Sequence, residues 1–265
     1  MTAPEPTAAQ LDFADHVVLV TGGTRGIGAG IAAAFLGHGA RVVVCGRKQP
    51  EAIPGDGAGA PRFVAADVRD AASVDALITD IEATEGRLDV VINNAGGAPY
   101  ADAAEASPRF HEAIVALNLL APLHVAQRAN RVMQAQEGGG SIVNIASVSG
   151  VRPSPGTAAY GAAKAGLINL TVSLAVEWAP LVRMNAVVAG LIQTEQAHLH
   201  YGDDAGIAAV AATVPLGRMG TPTDLANACL YLASPMASYV SGSTLTLHGG
   251  GERPSFLAEA TAENG

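Results

Sequence analysis

Cysteine is nearly absent: Cys45 and Cys229 are the only two in 265 residues, and each lies in an apolar segment. That excludes a disulfide-stapled scaffold and fits buried free thiols in a reducing compartment. Basic residues are scarce too, 15 Lys and Arg against 24 Asp and Glu, for a net charge of −9. A nucleic-acid partner is not expected, because phosphate backbones are held by clustered Lys and Arg. Any bound anion must be held locally. The first ten residues, MTAPEPTAAQ, carry neither the basic residue nor the apolar stretch of a secretory signal, and no run reads as long enough to span a membrane. The expectation is a cytoplasmic protein without a membrane partner. Aromatic residues make up only 4 %, whereas there are 31 glycines and 49 % hydrophobic residues. Short connections, close-packed helices and a sizeable core follow.

Seven short runs rich in β-branched residues recur along the chain: HVVLV (16–20), RVVVC (41–45), RFVAA (62–66), LDVVIN (88–93), SIVNIA (141–146), VRMNAVV (182–188) and STLTL (243–247). Amphipathic stretches long enough for helices separate most of them. Continuous apolar strands alternating with helices imply an α/β fold, a doubly wound, mostly parallel seven-stranded sheet covered on both faces. One Rossmann-type domain over 13–252 is expected, with an N-terminal extension (1–12) and a C-terminal tail (253–265). No tandem repeat is visible. The exception to the alternation is KQPEAIPGDGAGAP (48–61), where Pro and Gly density predicts a loop.

Between the first strand and the helix behind it lies TGGTRGIG (21–28). Glycines there let the backbone come close to a bound group, and the helix start directs unpaired N–H groups and a positive dipole end at it. The spacing of Gly22, Gly26 and Gly28 is neither the common G-x-G-x-x-G fingerprint nor a P-loop. Alone, such a turn is also compatible with a plain tight βα connection. Further along, SIVNIAS ends an apolar strand at Ser147, placing a hydroxyl at the carboxyl edge of the sheet, where open α/β folds bind ligands. Tyr160 and Lys164 follow in a helical stretch, four residues apart and so on one face. An ammonium beside a phenol favours the phenolate and makes the phenol a better proton donor to an oxygen gaining charge.

Taken together and in this order, the motifs resemble the short-chain dehydrogenase/reductase family over about residues 13–252, and are similar to its 3-oxoacyl carrier-protein reductase-like members. They are Thr21-Gly-Gly-Thr-Arg-Gly-Ile-Gly28, Asp67-Val68, Asn93-Asn-Ala-Gly96, Asn118, Ser147 and Tyr160-x-x-x-Lys164. The resemblance implies that Tyr160 is the general acid/base, that Lys164 lowers its pKa and holds the nicotinamide ribose, that Ser147 binds the substrate oxygen, and that Asn118 anchors a relay water. It also implies that the glycine turn carries the cofactor diphosphate. Cofactor contacts are then expected at Gly22, Thr24, Arg25, Gly26, Ile27, Gly28, Arg47, Asp67, Val68, Asn94, Ala95, Gly96, Tyr160, Lys164, Gly190, Ile192 and Thr194. Asn93 and Asn94 could equally serve to brace the sheet.

The second strand ends in Gly46-Arg47 where folds preferring NAD carry an acid, and Arg25 sits inside the turn. NADP(H) is therefore expected over NAD(H), which stays possible. The expected reaction moves hydride between the nicotinamide and a carbonyl or secondary alcohol, and the alternative is a catalytically idle dinucleotide-binding regulator. Segment 193–215 corresponds to the family's substrate cover, and its IAAVAATVP portion suits a hydrophobic substrate such as a 3-oxoacyl thioester, steroid or alicyclic ketone. Within it His198, His200, Tyr201, Asp203 and Asp204 could meet a polar group; their spacing makes no convincing metal site, and no metal is assigned. A homotetramer or homodimer is expected by resemblance. Two departures stand out: Ala189 replaces a proline, which frees the following loop of a φ constraint, and His248 replaces an aspartate.

Overall fold

The first strand shows how this sequence builds its core. In the computed structural model, which describes residues 11–51 and 59–252, Val17–Thr21 forms β1 with every residue buried. Alternate residues of a strand face opposite ways. Val17 and Leu19 accordingly enter one apolar cluster while Val18 and Val20 enter another on the opposite face, and Val43 and Val42 of the next strand divide the same way. A strand without a polar face needs helices on both sides.

The elements follow as expected. After β1 come α1 (Gly26–Gly37), β2 (Arg41–Gly46), β3 (Arg62–Ala65), α2 (Ala71–Glu85) and β4 (Val90–Asn93). Then α3 (Pro108–Val115), α4 (Ala121–Ala135), β5 (Gly140–Ser147), α5 (Ala158–Glu177), β6 (Val182–Ala189), α6 (His198–Tyr201), α7 (Asp204–Thr213), α8 (Pro222–Ala233) and β7 (Thr244–Leu247) complete the chain. The seven strands form one sheet in the order β3-β2-β1-β4-β5-β6-β7, and every neighbouring pair is parallel. All strands therefore end at one edge. The order reverses direction between β1 and β4, and that switch point is where such sheets open a ligand crevice.

Residues 116–120 form a wider π turn that joins α3 to α4 in one continuous helical stretch. One sequence expectation needs correction. No run was expected to reach spanning length, yet α5, with 20 residues, is long and apolar enough to cross a membrane by length and composition. Its buried face, including Leu167, Thr171 and Leu174, packs along β5 and β6. The loop expected at 48–61 is irregular at its described ends, while 52–58 lie outside the described residues, as do the tail 253–265 and residues 1–10 of the N-terminal extension.

Polar side chains tie the sheet to α5. Asn93 Nδ2 donates to Asn144 Oδ1 at 2.9 Å, Asn144 Nδ2 donates to Thr171 Oγ1 at 2.9 Å, and the Thr171 hydroxyl donates to Leu167 O at 2.8 Å. All three residues are buried, so this chain fixes β4, β5 and α5 in register near the sheet's carboxyl edge. The bracing role considered for Asn93 is thus visible.

Candidate active site

The carboxyl ends of β1, β4 and β5 build the site. At the end of β1, Thr21 Oγ1 accepts hydrogen bonds from Asn94 N and Ala95 N, both at 3.0 Å, and Asn94 Nδ2 donates back to Thr21 O at 2.9 Å and Gly22 O at 3.2 Å. Asn94 is therefore a strut beneath the glycine turn. Gly22 (φ +63°) and Gly26 (φ +54°) lie in the left-handed region that favours glycine. At Gly28 a Cβ would stand 2.3 Å from Gly22 O and 2.5 Å from Asn94 Nδ2. Only glycine lets the helix start so close to the turn. Thr24 and Arg25 complete the turn, Arg25 precedes α1 with its side chain exposed, and Ile27 packs against the core. This cradle of backbone at a helix start fits a dinucleotide's diphosphate.

On one flank of the turn, Gly46 ends β2 and the exposed Arg47 follows it. Beyond β3, Asp67 is gripped by Arg69, whose Nε and Nη2 donate to its two oxygens at 2.9 and 2.5 Å. That hydrogen bonding holds the Asp67 carboxyl below the usual range, with a further contribution from the charge of Arg47. Val68 is buried beside it. Arg69 was not singled out from the sequence, where an arginine two residues past an aspartate on the surface carries no signal.

On the other flank the chemistry-bearing side chains converge. Ser147 is the last residue of β5 and Tyr160 lies in the first turn of α5. Burial raises the pKa of the Tyr160 phenol, and a hydrogen bond with the Ser147 side chain opposes that rise. Lys164, one turn on, has its Nζ 5.6 Å from the centre of the Tyr160 ring and donates to Ile145 O at 2.8 Å. The side chain is buried, and desolvation brings its pKa down to about 8. The ammonium expected to lower the phenol's pKa thus lies beside the Tyr160 ring while it donates to a β5 carbonyl.

Asn118 is fully buried within the π turn. Its Nδ2 donates to Ile114 O at 2.9 Å and Gly97 O at 3.0 Å, and its Oδ1 accepts from Gly97 N at 2.9 Å. The amide is engaged with backbone on both sides, so it fixes the strand-to-helix loop after β4. A Cβ on Gly96 would lie 2.8 Å from Asn118 Oδ1 and 3.3 Å from Lys164 Nζ, which places these three residues around one point. π turns of this kind recur at functional sites.

The third side of the crevice comes from β6. Gly190 N donates to Leu247 O at 2.8 Å, and a Cβ on Gly190 would meet His248 Cβ at 2.7 Å, so the unusual His248 packs under this glycine. Ile192 bridges to Gly220, and Thr194 lies over the turn, its Cγ2 3.7 Å from where a Cβ on Gly26 would stand. Among the described residues, no three His, Cys, Asp or Glu side chains gather as a metal ligand set.

A family model described as enoyl-(acyl carrier protein) reductase matches residues 22–252, which span the glycine turn, Ser147 and the Tyr160/Lys164 pair. The chain belongs to the short-chain dehydrogenase/reductase family. It is 36 % identical over 246 residues to a 3alpha-hydroxysteroid dehydrogenase of Mediterraneibacter gnavus, covering 89 % of this chain and 96 % of that one. It is 35 % identical over 258 residues to a D-threitol dehydrogenase of Mycolicibacterium smegmatis, covering 94 % and 98 %. A 3-oxoacyl-[acyl-carrier-protein] reductase, MabA, of Mycobacterium bovis is 35 % identical over 254 residues, with the same coverage of 94 % and 98 %. The ligand-free aldohexose dehydrogenase of Thermoplasma acidophilum superposes with a TM-score of 0.84 at 30 % identity, over 96 % of this chain and 98 % of that one. As a short-chain dehydrogenase/reductase, this chain is an NAD(P)(H)-using oxidoreductase acting on CH–OH and C=O groups.

Proposed function

We propose that this short-chain dehydrogenase/reductase is NADP(H)-dependent and interconverts a carbonyl and a secondary alcohol on a hydrophobic substrate, with Tyr160 as general acid/base. The observation that carries the reading is the convergence of Ser147 at the end of β5 with Tyr160 in the first turn of α5 and the buried Lys164 one turn on, its Nζ 5.6 Å from the Tyr160 ring centre. A bound nicotinamide supplies or accepts the hydride at C4. The protein's own part is the proton and its positioning. In reduction the Ser147 hydroxyl holds the substrate oxygen beside the phenol, and Tyr160 gives that oxygen its proton. The buried cation of Lys164 favours the phenolate left behind, and Asn118 keeps the floor of the site in place by fixing Gly97. Oxidation runs the same proton in reverse.

Cofactor contacts follow the backbone cradle: Gly22, Thr24, Arg25, Gly26, Ile27 and Gly28 at the diphosphate, Arg47, Asp67 and Val68 toward the adenosine, and Asn94, Ala95, Gly96, Gly190, Ile192 and Thr194 toward the nicotinamide. NADP(H) is favoured because Arg47 is exposed next to Gly46, while the nearby Asp67 carboxylate is already engaged by Arg69. A hydrophobic substrate is favoured by α7, DAGIAAVAAT, an apolar helix none of whose residues is buried in the core. Such a helix suits the cover of an apolar ligand. The test is NADPH oxidation against steroid ketones, alicyclic ketones, 3-oxoacyl thioesters and keto sugars. Turnover is expected with the apolar ketones or thioesters, and turnover confined to the sugars overturns the substrate class.

Assembly as a homotetramer or homodimer belongs to the same proposal. Leu120, beside Asn118, is 42 % exposed, and Val176 on α5 is 78 % exposed, so the helices carrying the site also carry uncovered apolar side chains. Light scattering at micromolar concentration is expected to give a dimer or tetramer mass; a monomer mass refutes it.

A further inference from the structure

The helix start that would face the diphosphate is touched by a carboxylate of this chain. Glu195 Oε1 accepts a hydrogen bond from Gly26 N at 2.9 Å, across 169 residues of sequence. Gly26 is the first residue of α1, and the N-cap residue, Arg25, supplies no side-chain hydrogen bond to the helix. The first turn of α1 contains no acidic residue either. Glu195 therefore provides what an anion provides at a helix N-terminus, an acceptor for an unpaired N–H and a negative charge at the positive end of the dipole. The residue is exposed, so its side chain is free to rotate into water.

Glu195 also sits where movement would be felt. It follows Thr194 at the start of segment 193–215, expected to cover the substrate. Gln196 N donates to Thr194 Oγ1 at 3.3 Å, His198 Nδ1 lies 3.1 Å from Glu195 O, and α6 begins at His198. The tie at Gly26 thus connects the glycine turn to the start of the cover. Resting on the dinucleotide reading above, we infer that Glu195 is an internal competitor of the cofactor's diphosphate, and so a determinant of cofactor affinity. Two anions seeking the same N–H and the same dipole end repel each other. The diphosphate displaces the carboxylate, and the start of the cover is released from α1 as the cofactor binds. Glu195 in this role weakens cofactor binding and couples it to the substrate side.

The test compares the parent with Glu195→Gln, which removes the charge, and Glu195→Asp, which shortens the reach. Dissociation constants for NADPH are measured by calorimetry, and amide hydrogen exchange is followed over residues 193–203 without cofactor. Both variants are expected to bind NADPH about two- to tenfold more tightly than the parent, the range set by loss of one carboxylate from a helix N-terminus. Exchange over 193–203 is expected to be faster in both variants, and adding NADPH to the parent is expected to speed it at Glu195 and Gln196. Unchanged or weaker NADPH binding in Glu195→Gln overturns the inference while leaving the dinucleotide reading intact. A parent that binds neither NADPH nor NADH overturns both.

Discussion

Tyr160→Phe is expected to lower kcat by at least a hundredfold while the dissociation constant for NADPH stays within about twofold of the parent, since general acid catalysis contributes roughly 10²–10⁴. The substitution removes one oxygen and keeps the ring that packs beside Lys164. Tyr160 lies in the first turn of α5, not in the glycine turn, so the backbone of that turn does not sense the change. On the proposed mechanism KM for the ketone is expected to move little, because Ser147 would still hold the substrate oxygen. Loss of an interaction used only in the transition state has this signature, a fall in kcat and kcat/KM together. Activity within tenfold of the parent would exclude Tyr160 as the acid. A large loss of NADPH affinity would instead mean that the phenol braces the cofactor site.

Gly46→Asp is expected to turn the cofactor preference from NADPH toward NADH, and more fully when Arg47→Ala accompanies it. On the proposed cofactor reading, charge-assisted hydrogen bonds from Arg47 and Arg25 to a 2′-phosphate would contribute on the order of 1.5–3 kcal/mol, or roughly ten- to a hundredfold in binding. An aspartate at 46 sets a negative charge against that phosphate and offers the free ribose of NADH an acceptor. The backbone can take it: a Cβ at Gly46 would meet only Phe63 Cε2 at 3.8 Å and Lys48 O at 4.0 Å, both ordinary contacts. Dissociation constants for NADPH and NADH on parent and variants decide the matter. A parent that binds the two equally at physiological salt would make both arginines solvated bystanders.

The fold was legible because its signals are local. Every expected strand is present within one or two residues of its run, since β-branched apolar residues between turn residues have few other ways to be buried. Ser147 at a strand end and the Tyr160/Lys164 spacing were legible for the same reason. The π turn at 116–120 was not, because Asn118 exchanges hydrogen bonds with Gly97, 21 residues earlier, and no local pattern announces that contact. The Lys164 ammonium also escaped. Spacing places it on the Tyr160 face, but the carbonyl of Ile145 that it meets belongs to β5. Glu195 is the extreme case, an acid in a polar loop until the sheet brings it to Gly26.

The strand order also has a consequence in time. From β4 onward each new strand pairs with the one made just before it, β5 on β4, β6 on β5 and β7 on β6, so the sheet grows at a single free edge in the direction of synthesis. Chains fold largely from the N-terminus as they emerge, at about 5–20 residues per second. The half holding the glycine turn can therefore close while the ribosome is still adding the half that brings Ser147, Tyr160 and Glu195. On a nascent chain, the capacity to grip a nucleotide would mature before the capacity to move a proton.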